Sequence, residues 1–347
     1  MHSMTESLLA WYDLHARSMP WRGIHDPYRT WVSEIMLQQT RVETVIPYYT
    51  RFLAMFPTLK DLAAAPEADV LKAWEGLGYY SRARNLHQGA KQVMADYGGK
   101  LPANPEELRR IHGIGPYTAG AIASIAYELP VPAVDGNVIR VIARLFGIRE
   151  DAGAPAGRRK IEEIAADLVP DDRPGDYNQA VMDLGAMICV PGTPDCAHCP
   201  LASRCNAYSR GDAAELPILA KAKPPRMIQW TVVIVRSGDR VLIRKRTEKL
   251  LQGLWCFPMV EESPSPEELM HHIRNKWKMD VSNFKEEGEA RHVFTHQVWQ
   301  MRIVQMRAAA GAKAPAGCRF IAMEDTHRLP IPTAMAVPFR IATRDSE

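Results

Sequence analysis

The sequence predicts a multidomain protein in which an all-α domain is followed by a smaller α+β domain. Apolar residues recur at helical spacing as far as about residue 205, and alternation with a period of two begins near residue 230. A chain of 347 residues with 46% hydrophobic content is long enough to bury more than one core. We expect a helical domain over residues 1–205, a connector over 206–227 and the α+β domain over 228–347.

Short segments containing proline and glycine separate the expected helices of the first domain. Ala119, Ile122 and Ala123 follow the spacing of one helix face. Proline is tolerated in the first helical turn and disrupts the interior, so prolines indicate where helices begin or end. The prolines at these expected boundaries are Pro57, Pro66, Pro102, Pro105 and Pro170.

The second domain combines strands with a helix. Residues 230–236 and 240–246 alternate in polarity and are joined by Ser237-Gly238-Asp239, which predicts a β-hairpin. Residues 297–307 alternate again and predict a further strand, whereas residues 267–277 have helical spacing. This mixture is typical of an α+β domain.

Net charge does not indicate a ligand class. Lys and Arg number 43 against 40 Asp and Glu, which gives a net charge of +3. Residues 1–227 hold 25 basic and 26 acidic side chains. If this portion binds DNA, it must use local patches and oriented backbone amides rather than a large positive field.

The amino terminus does not resemble an export signal. Glu6, Asp13 and Arg17 interrupt the apolar residues early, and no segment of the sequence is long and apolar enough to cross a bilayer. We expect a monomeric, cytoplasmic protein with no membrane contact.

Four of the six cysteines form a tight group. Cys189, Cys196, Cys199 and Cys205 have the spacing Cys-x6-Cys-x2-Cys-x5-Cys. Without an export signal, such density favours metal ligation over disulfides. Four thiolates suit either a zinc ion or an iron–sulfur cluster. The cluster is favoured because only one short Cys-x2-Cys pair is present and the longer gaps fit a larger metal group.

Two features suggest a helical hairpin followed by a functional carboxylate. Gly113 and Gly115 form a tight turn before an Ala/Ile-rich helix, and backbone amides at a helix start can bind a phosphate. Asp135 follows twenty residues after Gly115. The simplest role for Asp135 is the N-cap of a helix that begins near Gly136. A catalytic role is compatible with capping.

Glu34 lies on an expected helix over residues 28–45. Trp31 and Leu37 are among its neighbours one turn away. Burial beside these apolar groups would raise the pKa of the glutamate, so that it could act as a general acid at neutral pH. A lone glutamate on an amphipathic helix is more often solvated.

Together these motifs resemble those of the endonuclease III and MutY glycosylases. The cysteine spacing resembles their [4Fe–4S] loop, the glycine hairpin with its trailing aspartate resembles their helix-hairpin-helix signature, and Ser33-Glu-Ile-Met-Leu-Gln-Gln-Thr40 resembles a MutY motif. The resemblance extends from about residue 7 to 340. It implies a six-helix subdomain over about 18–135 and an iron–sulfur subdomain made of the amino-terminal helix and residues 136–205.

The resemblance also implies catalytic roles. Glu34 is expected to protonate N7 of adenine, and Asp135 to stabilise the oxocarbenium ion or trap it covalently. Endonuclease III-type enzymes carry a Schiff-base lysine just after the hairpin, where this sequence has Tyr117. A phenol cannot form an imine, so we expect a monofunctional glycosylase without strong lyase activity.

Further residues match positions that contact DNA in these families. Trp21, Arg22 and Gln179 are expected to shape an adenine pocket. Gln38 and Tyr79 are expected to enter the base stack during flipping. The remaining expected DNA contacts in the first domain are Gly113, Gly115 and Asn137.

The second domain resembles the degenerate nudix-type domain of MutY proteins. Residues 264–278 contain Glu267, Glu268 and Arg274 without the pattern that holds Mg²⁺ in a working nudix hydrolase. Binding without hydrolysis is therefore expected. Phe294, Thr295 and His296 resemble the Phe-Ser-His loop that reads oxidised guanine, with threonine in place of serine.

The sequence thus predicts an adenine DNA glycosylase that carries a [4Fe–4S] cluster and acts on double-stranded DNA with adenine opposite 8-oxoguanine or guanine. A bacterial, nucleoid-associated location is expected. Two alternatives are a bifunctional endonuclease III-like enzyme for oxidised pyrimidines and a non-catalytic iron–sulfur DNA-binding protein. Tyr117 argues against the first alternative, and the joint presence of Glu34 and Asp135 argues against the second.

Overall fold

The computed structural model describes residues 2–220 and 224–344. Residues 221–223 of the expected connector lie outside the described residues. The contacts of the chain group it into two compact units. The first unit is Met1–Ala64 with Asn85–Lys221, and the second is Ala65–Arg84 with Ala222–Glu347.

Fourteen α-helices lie in the described residues. In chain order they are α1 (His2–His15), α2 (Pro27–Leu37), α3 (Val42–Met55), α4 (Leu59–Ala64), α5 (Glu67–Ala73), α6 (Ser81–Asp96), α7 (Pro105–Leu108), α8 (Pro116–Tyr127), α9 (Gly136–Phe146), α10 (Pro155–Leu168), α11 (Pro174–Met187), α12 (Asn206–Arg210), α13 (Pro266–His272) and α14 (Ala336–Arg344). None of the described helices is both long enough and apolar enough to span a membrane.

Prolines mark helix boundaries as the sequence predicts. Pro105 is the first residue of α7, and the Asn104 side chain before it accepts hydrogen bonds from two backbone amides of the first turn. Pro66 is the N-cap of α5, and Pro170 follows the C-cap of α10. Pro47 is an exception, because it lies inside α3 without ending the helix.

The core of the first unit forms around α9. The apolar face of α9 includes Val138, Val141 and Ile142, which pack with residues such as Leu8 of α1 and Leu184 of α11. Cys189, Cys199 and Cys205 are partly buried against the same core. The cysteine loop is therefore supported by the helix whose N-cap is Asp135.

The turn between α7 and α8 requires glycine at one position. Gly113 has a φ of +82°, and a Cβ at this position would lie 2.7 Å from the Cβ of Asn85. An L side chain is therefore excluded both by backbone conformation and by space. Gln92 of α6 holds the turn, since it accepts from the His112 amide at 2.8 Å and donates to the Arg110 carbonyl at 3.2 Å.

The second unit contains a seven-stranded sheet. Its strands are β1 (Arg226–Ser237), β2 (Arg240–Lys245), β3 (Trp255–Cys256), β4 (Met259–Glu261), β5 (Val281–Val293), β6 (Gln297–Ala308) and β7 (Cys318–Ala322). The main strand order is β3-β2-β1-β6-β5, with β4 paired to β1 and β7 paired to β2.

The predicted hairpin and strand are confirmed. Strands β1 and β2 are antiparallel and close at Ser237 and Arg240, and β6 covers the alternating segment that follows residue 296. Strands β1 and β6 run parallel, with Trp230 opposite Met301. The α+β class of this domain is therefore confirmed.

Alternation along β1 and β6 separates two cores rather than a core from solvent. On one face, Val232 and Ile303 join a core that includes Met335 beside α14. On the other face, Val233 and Val304 pack with Leu269 of α13. Each face of the central strand pair is thus covered by a helix, which explains why both strands are buried through most of their length.

The predicted helix over residues 267–277 is also present. Helix α13 continues into one π-helical turn, Ile273–Trp277. Ser265 and Glu268 form a capping box, in which each side chain bonds the other residue's backbone amide. Glu268 is thereby used for helix capping.

Candidate active site

Glu34 and Tyr117 meet inside the first unit. Helices α2 and α8 pack against each other, and the Tyr117 hydroxyl donates a hydrogen bond to Oε2 of Glu34. Only 5% of Glu34 is exposed. Burial raises the pKa of Glu34 to about 7, although the Tyr117 hydrogen bond acts in the opposite direction. The burial expected for Glu34, rather than a solvated position, is therefore confirmed.

Asp135 lies close enough to Glu34 for its charge to raise the Glu34 pKa further. It caps α9, as the sequence predicts, because its Oδ1 accepts from the Val138 amide at 2.8 Å. Its Oδ2 accepts from Nδ2 of Asn137 at 2.9 Å. Burial raises the pKa of Asp135, and these hydrogen bonds limit the rise. We call Glu34, Tyr117 and Asp135 the carboxylate site.

Asn137 connects the carboxylate site to the cysteine loop. Its Oδ1 accepts from Nη2 of Arg140 at 2.8 Å, and Nε of Arg140 donates to the Cys189 carbonyl at 2.7 Å. Arg140 also donates to the Gly185 carbonyl at 2.7 Å. The Asn137 side-chain amide hydrogen-bonds to both Asp135 and Arg140, so it holds the Asp135 carboxylate in position.

The expected pocket residues lie on three parts of the first unit. Trp21 is buried and packs edge-on against Tyr49, with ring centroids 5.2 Å apart. The positive charge of Arg22 lowers the pKa of Glu34, which places Arg22 near the carboxylate site. Gln179 is on α11, where its side chain donates to the Gly175 carbonyl at 3.2 Å. Gln38 is the C-cap of α2.

The four cysteines of the loop are free thiols. Burial raises the pKa of Cys199 to about 11, and the other three thiols add to the rise because they lie near enough to repel a negative charge on it. Nη1 of Arg144 donates to Sγ of Cys189 at 3.3 Å. Within residues 2–220 and 224–344, no three His, Cys, Asp or Glu side chains are arranged to hold a single metal ion.

The second unit brings two expected DNA contacts together. Tyr79 is 47% exposed and has a φ of +47°. Its hydroxyl lies 2.9 Å from Oγ1 of Thr295. The segment that carries Tyr79 is anchored in the same unit, because the Glu75 carboxylate accepts from the Ile331 amide at 2.8 Å.

Thr295 lies in the turn between β5 and β6, which we call the β5–β6 loop (residues 294–296). Thr295 and His296 are exposed. Phe294 is instead partly buried on the core, with its ring centroid 4.8 Å from that of Trp299. The loop therefore presents two polar side chains above one apolar anchor.

Sequence reasoning missed Asp183 and Arg144. Both are charged residues with at most 2% exposure of the residue. Asp183 bonds Arg17 and Arg22, and Arg144 bonds the cysteine loop. The signal in the sequence was a charged residue on an otherwise apolar helix face. The partners of Asp183 and Arg144 could not be identified from it because they lie far away in sequence.

Comparisons with known proteins show the family to which the chain belongs. Residues 32–170 match the HhH-GPD superfamily of base excision DNA repair proteins, and residues 230–337 match the NUDIX domain family. The chain is 35% identical to the adenine DNA glycosylase of Mus musculus, over 96% of this chain and 77% of that protein. The chain belongs to the adenine DNA glycosylase family. It is therefore an N-glycosylase of base excision repair.

One further relative supports the family, and two solved structures resemble the helical domain. The adenine DNA glycosylase of Buchnera aphidicola subsp. Schizaphis graminum is 33% identical over 85% of each chain. A solved thermostable thymine-DNA glycosylase is 30% identical, with a TM-score of 0.56, and covers 60% of this chain and 96% of its own. An endonuclease III–DNA complex has a TM-score of 0.52 at 22% identity, which supports the fold of the helical domain alone.

Proposed function

We propose that this glycosylase excises adenine paired with 8-oxoguanine from double-stranded DNA. The observation that carries the proposal is the carboxylate site. A buried glutamate with a pKa of about 7 lies near a second, partly buried carboxyl. This pair supplies the proton and the negative charge that N-glycosidic cleavage requires. The adenine DNA glycosylases to which the chain is similar indicate the base that is removed.

Glu34 is the general acid in this proposal. Because its pKa is about 7, a large fraction of the carboxyl is protonated at neutral pH. The flipped adenine receives this proton at N7 and becomes a better leaving group. The Tyr117 hydroxyl donates to Oε2, so Oε1 is the oxygen that remains to carry the transferable proton.

Asp135 acts on the sugar. As the base departs, positive charge develops at the anomeric carbon, and an ionised carboxylate stabilises that charge. The Val138 and Asn137 hydrogen bonds favour the ionised form and hold its orientation. After base departure, Glu34 is the carboxylate and assists the attacking water. Tyr117 cannot form an imine, which agrees with a monofunctional glycosylase.

The cysteine loop is proposed to hold a [4Fe–4S] cluster through Cys189, Cys196, Cys199 and Cys205. Burial and the neighbouring thiols raise the pKa of Cys196, Cys199 and Cys205, and four thiols grouped in this way form a donor set for soft metals. The Cys-x6-Cys-x2-Cys-x5-Cys spacing, with only one short pair, favours a group with several iron corners over zinc. When bound, the cluster supplies structural cross-linking of the loop. Ultraviolet–visible absorption and iron analysis of the purified protein test this assignment.

The second unit is proposed to recognise 8-oxoguanine without nudix hydrolysis. Glu268 caps α13, and Arg274 pairs with Asp280 at 3.0 Å, so two candidate residues of a nudix helix have structural partners. Thr295 offers a hydroxyl at the tip of the β5–β6 loop. Tyr79 lies beside it, which places the residue expected in the base stack next to the residue expected to read the lesion.

Glu34→Gln tests the proposed function. Single-turnover excision from an A:8-oxoguanine duplex should fall by a factor of about 100 or more, while duplex binding is retained. Excision at the wild-type rate would overturn the proposal. Covalent trapping of wild-type enzyme on DNA with borohydride would instead favour the bifunctional alternative.

The stability of the same variant tests the raised pKa of Glu34 independently of activity. The folded state binds the Glu34 proton more tightly than the unfolded state, so the ionised carboxylate costs stability increasingly between pH 4.5 and 7. Glutamine removes this cost. The free energy of unfolding of Glu34→Gln should exceed that of wild type by up to about 3 kcal/mol at pH 8 and by little at pH 4.

A further inference from the structure

A buried ion group lies next to the carboxylate site. Asp183 on α11 has no exposed side-chain surface. Its Oδ1 accepts from Nε of Arg17 at 2.8 Å and from Nη2 at 2.5 Å, and its Oδ2 accepts from Nη1 of Arg22 at 2.6 Å. The backbone amide of Arg17 adds a fourth hydrogen bond at 3.3 Å. Burial alone would raise the pKa of Asp183, but the two arginines hold it below its usual range.

This group fixes the orientation of Arg22. Nη1 of Arg22 donates to Asp183 and also to the Arg17 carbonyl at 3.0 Å, so both hydrogens of this nitrogen are used. The guanidinium carbon also lies 5.4 Å from the centroid of the Tyr12 ring. Contacts with Asp183, the Arg17 carbonyl and Tyr12 therefore restrain a side chain whose charge acts on Glu34.

Stability alone does not explain such a group. The desolvation cost of a buried ion pair offsets much of its attraction, and apolar residues of similar volume often stabilise a protein equally well. A buried carboxylate that binds two arginines instead fixes the positions of the two guanidinium charges. Asp183 is also one helical turn from the expected pocket residue Gln179, and its neighbour Met182 has its Sδ 3.9 Å from the Tyr117 hydroxyl.

We infer that Asp183 is a positioning residue: it holds the Arg22 guanidinium in place and thereby limits the effect of the Arg22 charge on the Glu34 carboxylate. This inference rests on the proposed function of Glu34 as general acid. The charged and titratable groups that act on Glu34 are Tyr117 of α8, Asp135 at the start of α9 and Arg22. Those around Asp183 are Arg17, Arg22 and Tyr12 of α1, whose pKa is raised in part by the Asp183 charge.

The consequence is a defined shift of the pH profile. Excision requires protonated Glu34, so the rate falls as pH rises through its pKa. In Asp183→Asn, Arg22 loses its carboxylate partner. The Arg22 charge then interacts more strongly with the carboxylates of Glu34 and Asp135, which lowers the Glu34 pKa. The alkaline fall in rate should then move to lower pH by about half a unit or more.

Single-turnover excision from an A:8-oxoguanine duplex, measured from pH 5.5 to 9, tests the inference. Arg22→Met should move the alkaline fall in the opposite direction, to higher pH, because it removes a positive charge near Glu34. The double variant should behave as Arg22→Met alone, since Asp183 acts through Arg22. Arg17→Met is the matched control: it breaks the same ion group, yet its profile should match wild type.

The outcomes separate the two proposals. A wild-type enzyme without excision, or without an alkaline fall near pH 7, contradicts the function proposed for Glu34. A normal wild-type profile with an unshifted Asp183→Asn profile contradicts only the positioning role, as does a double variant that differs from Arg22→Met. Thermal unfolding and circular dichroism establish that each variant is folded. Asp183→Ser provides a second neutral variant if Asp183→Asn does not fold.

Discussion

The carboxylate site and the β5–β6 loop solve different chemical problems with opposite environments. Glu34 is 5% exposed and is held by Tyr117, whereas Thr295 and His296 are exposed at a strand turn. Burial changes the proton affinity of Glu34, while exposure leaves the Thr295 hydroxyl accessible to a partner. The difference indicates that the acid proposed at Glu34 needs desolvation to hold a proton at neutral pH, whereas the recognition proposed at Thr295 needs an accessible hydrogen-bonding group.

The two regions also differ in how they are supported. The carboxylate site depends on helices α2, α8 and α9 and on side chains far apart in sequence, such as Asp135 and Glu34. The β5–β6 loop depends on one antiparallel strand pair and on the Phe294 anchor. Substitutions in the first region should therefore change both chemistry and stability, whereas those in the loop should change mainly selectivity.

Asp135→Asn is expected to produce the largest loss. Asparagine can still cap α9, so the helix start is preserved, but the negative charge proposed to stabilise the sugar cation is removed. Excision should fall by a factor of about 100 to 1,000 in single-turnover assays. Asp26→Asn is the matched control, because Asp26 caps α2 in the same manner. If both variants lose equal activity, capping rather than charge explains the effect.

The capping role of Asp135 was predictable from sequence because it depends on local chain geometry. An aspartate just before a helical segment satisfies an amide two or three residues later. The α+β class of the second domain was predictable for a similar reason, since strand alternation is local. The buried environment of Glu34 was expected only through a motif, because burial depends on α8, which lies more than seventy residues away.

The ion group of Asp183, Arg17 and Arg22 could not be predicted from the sequence. Arg17 and Asp183 are separated by 166 residues, and no local pattern links them. The covering of both sheet faces was likewise unforeseen: alternation along β1 indicated a strand but did not show that α13 and α14 cover opposite faces. Long-range packing decides both features, and a single sequence carries little signal for it.

Tyr117→Phe is expected to have an intermediate effect. Loss of the hydroxyl removes a hydrogen bond that favours the ionised form of Glu34, so the Glu34 pKa rises and the alkaline fall in rate moves to higher pH. The maximal rate should fall about tenfold because the carboxyl loses its orientation. Tyr28→Phe is the control, since it removes a 2.8 Å hydrogen bond from Tyr28 to the Phe56 carbonyl. An unchanged profile in Tyr117→Phe would contradict coupling of the two side chains.

Thr295→Val should have the smallest effect and should alter selectivity rather than chemistry. Valine keeps the branched shape at the tip of the β5–β6 loop but has no hydroxyl. It can therefore form neither the 2.9 Å hydrogen bond with the Tyr79 hydroxyl nor a hydrogen bond to 8-oxoguanine. The preference for A:8-oxoguanine over A:G duplexes, measured as a ratio of kcat/KM values, should decrease about fivefold. Thr295→Ser retains the hydroxyl and should keep the preference. A Thr295→Val variant that keeps the wild-type preference, with Thr295→Ser losing it, would show that the threonine methyl, rather than its hydroxyl, sets the selectivity, and would remove the loop hydroxyl from the proposed recognition of the lesion.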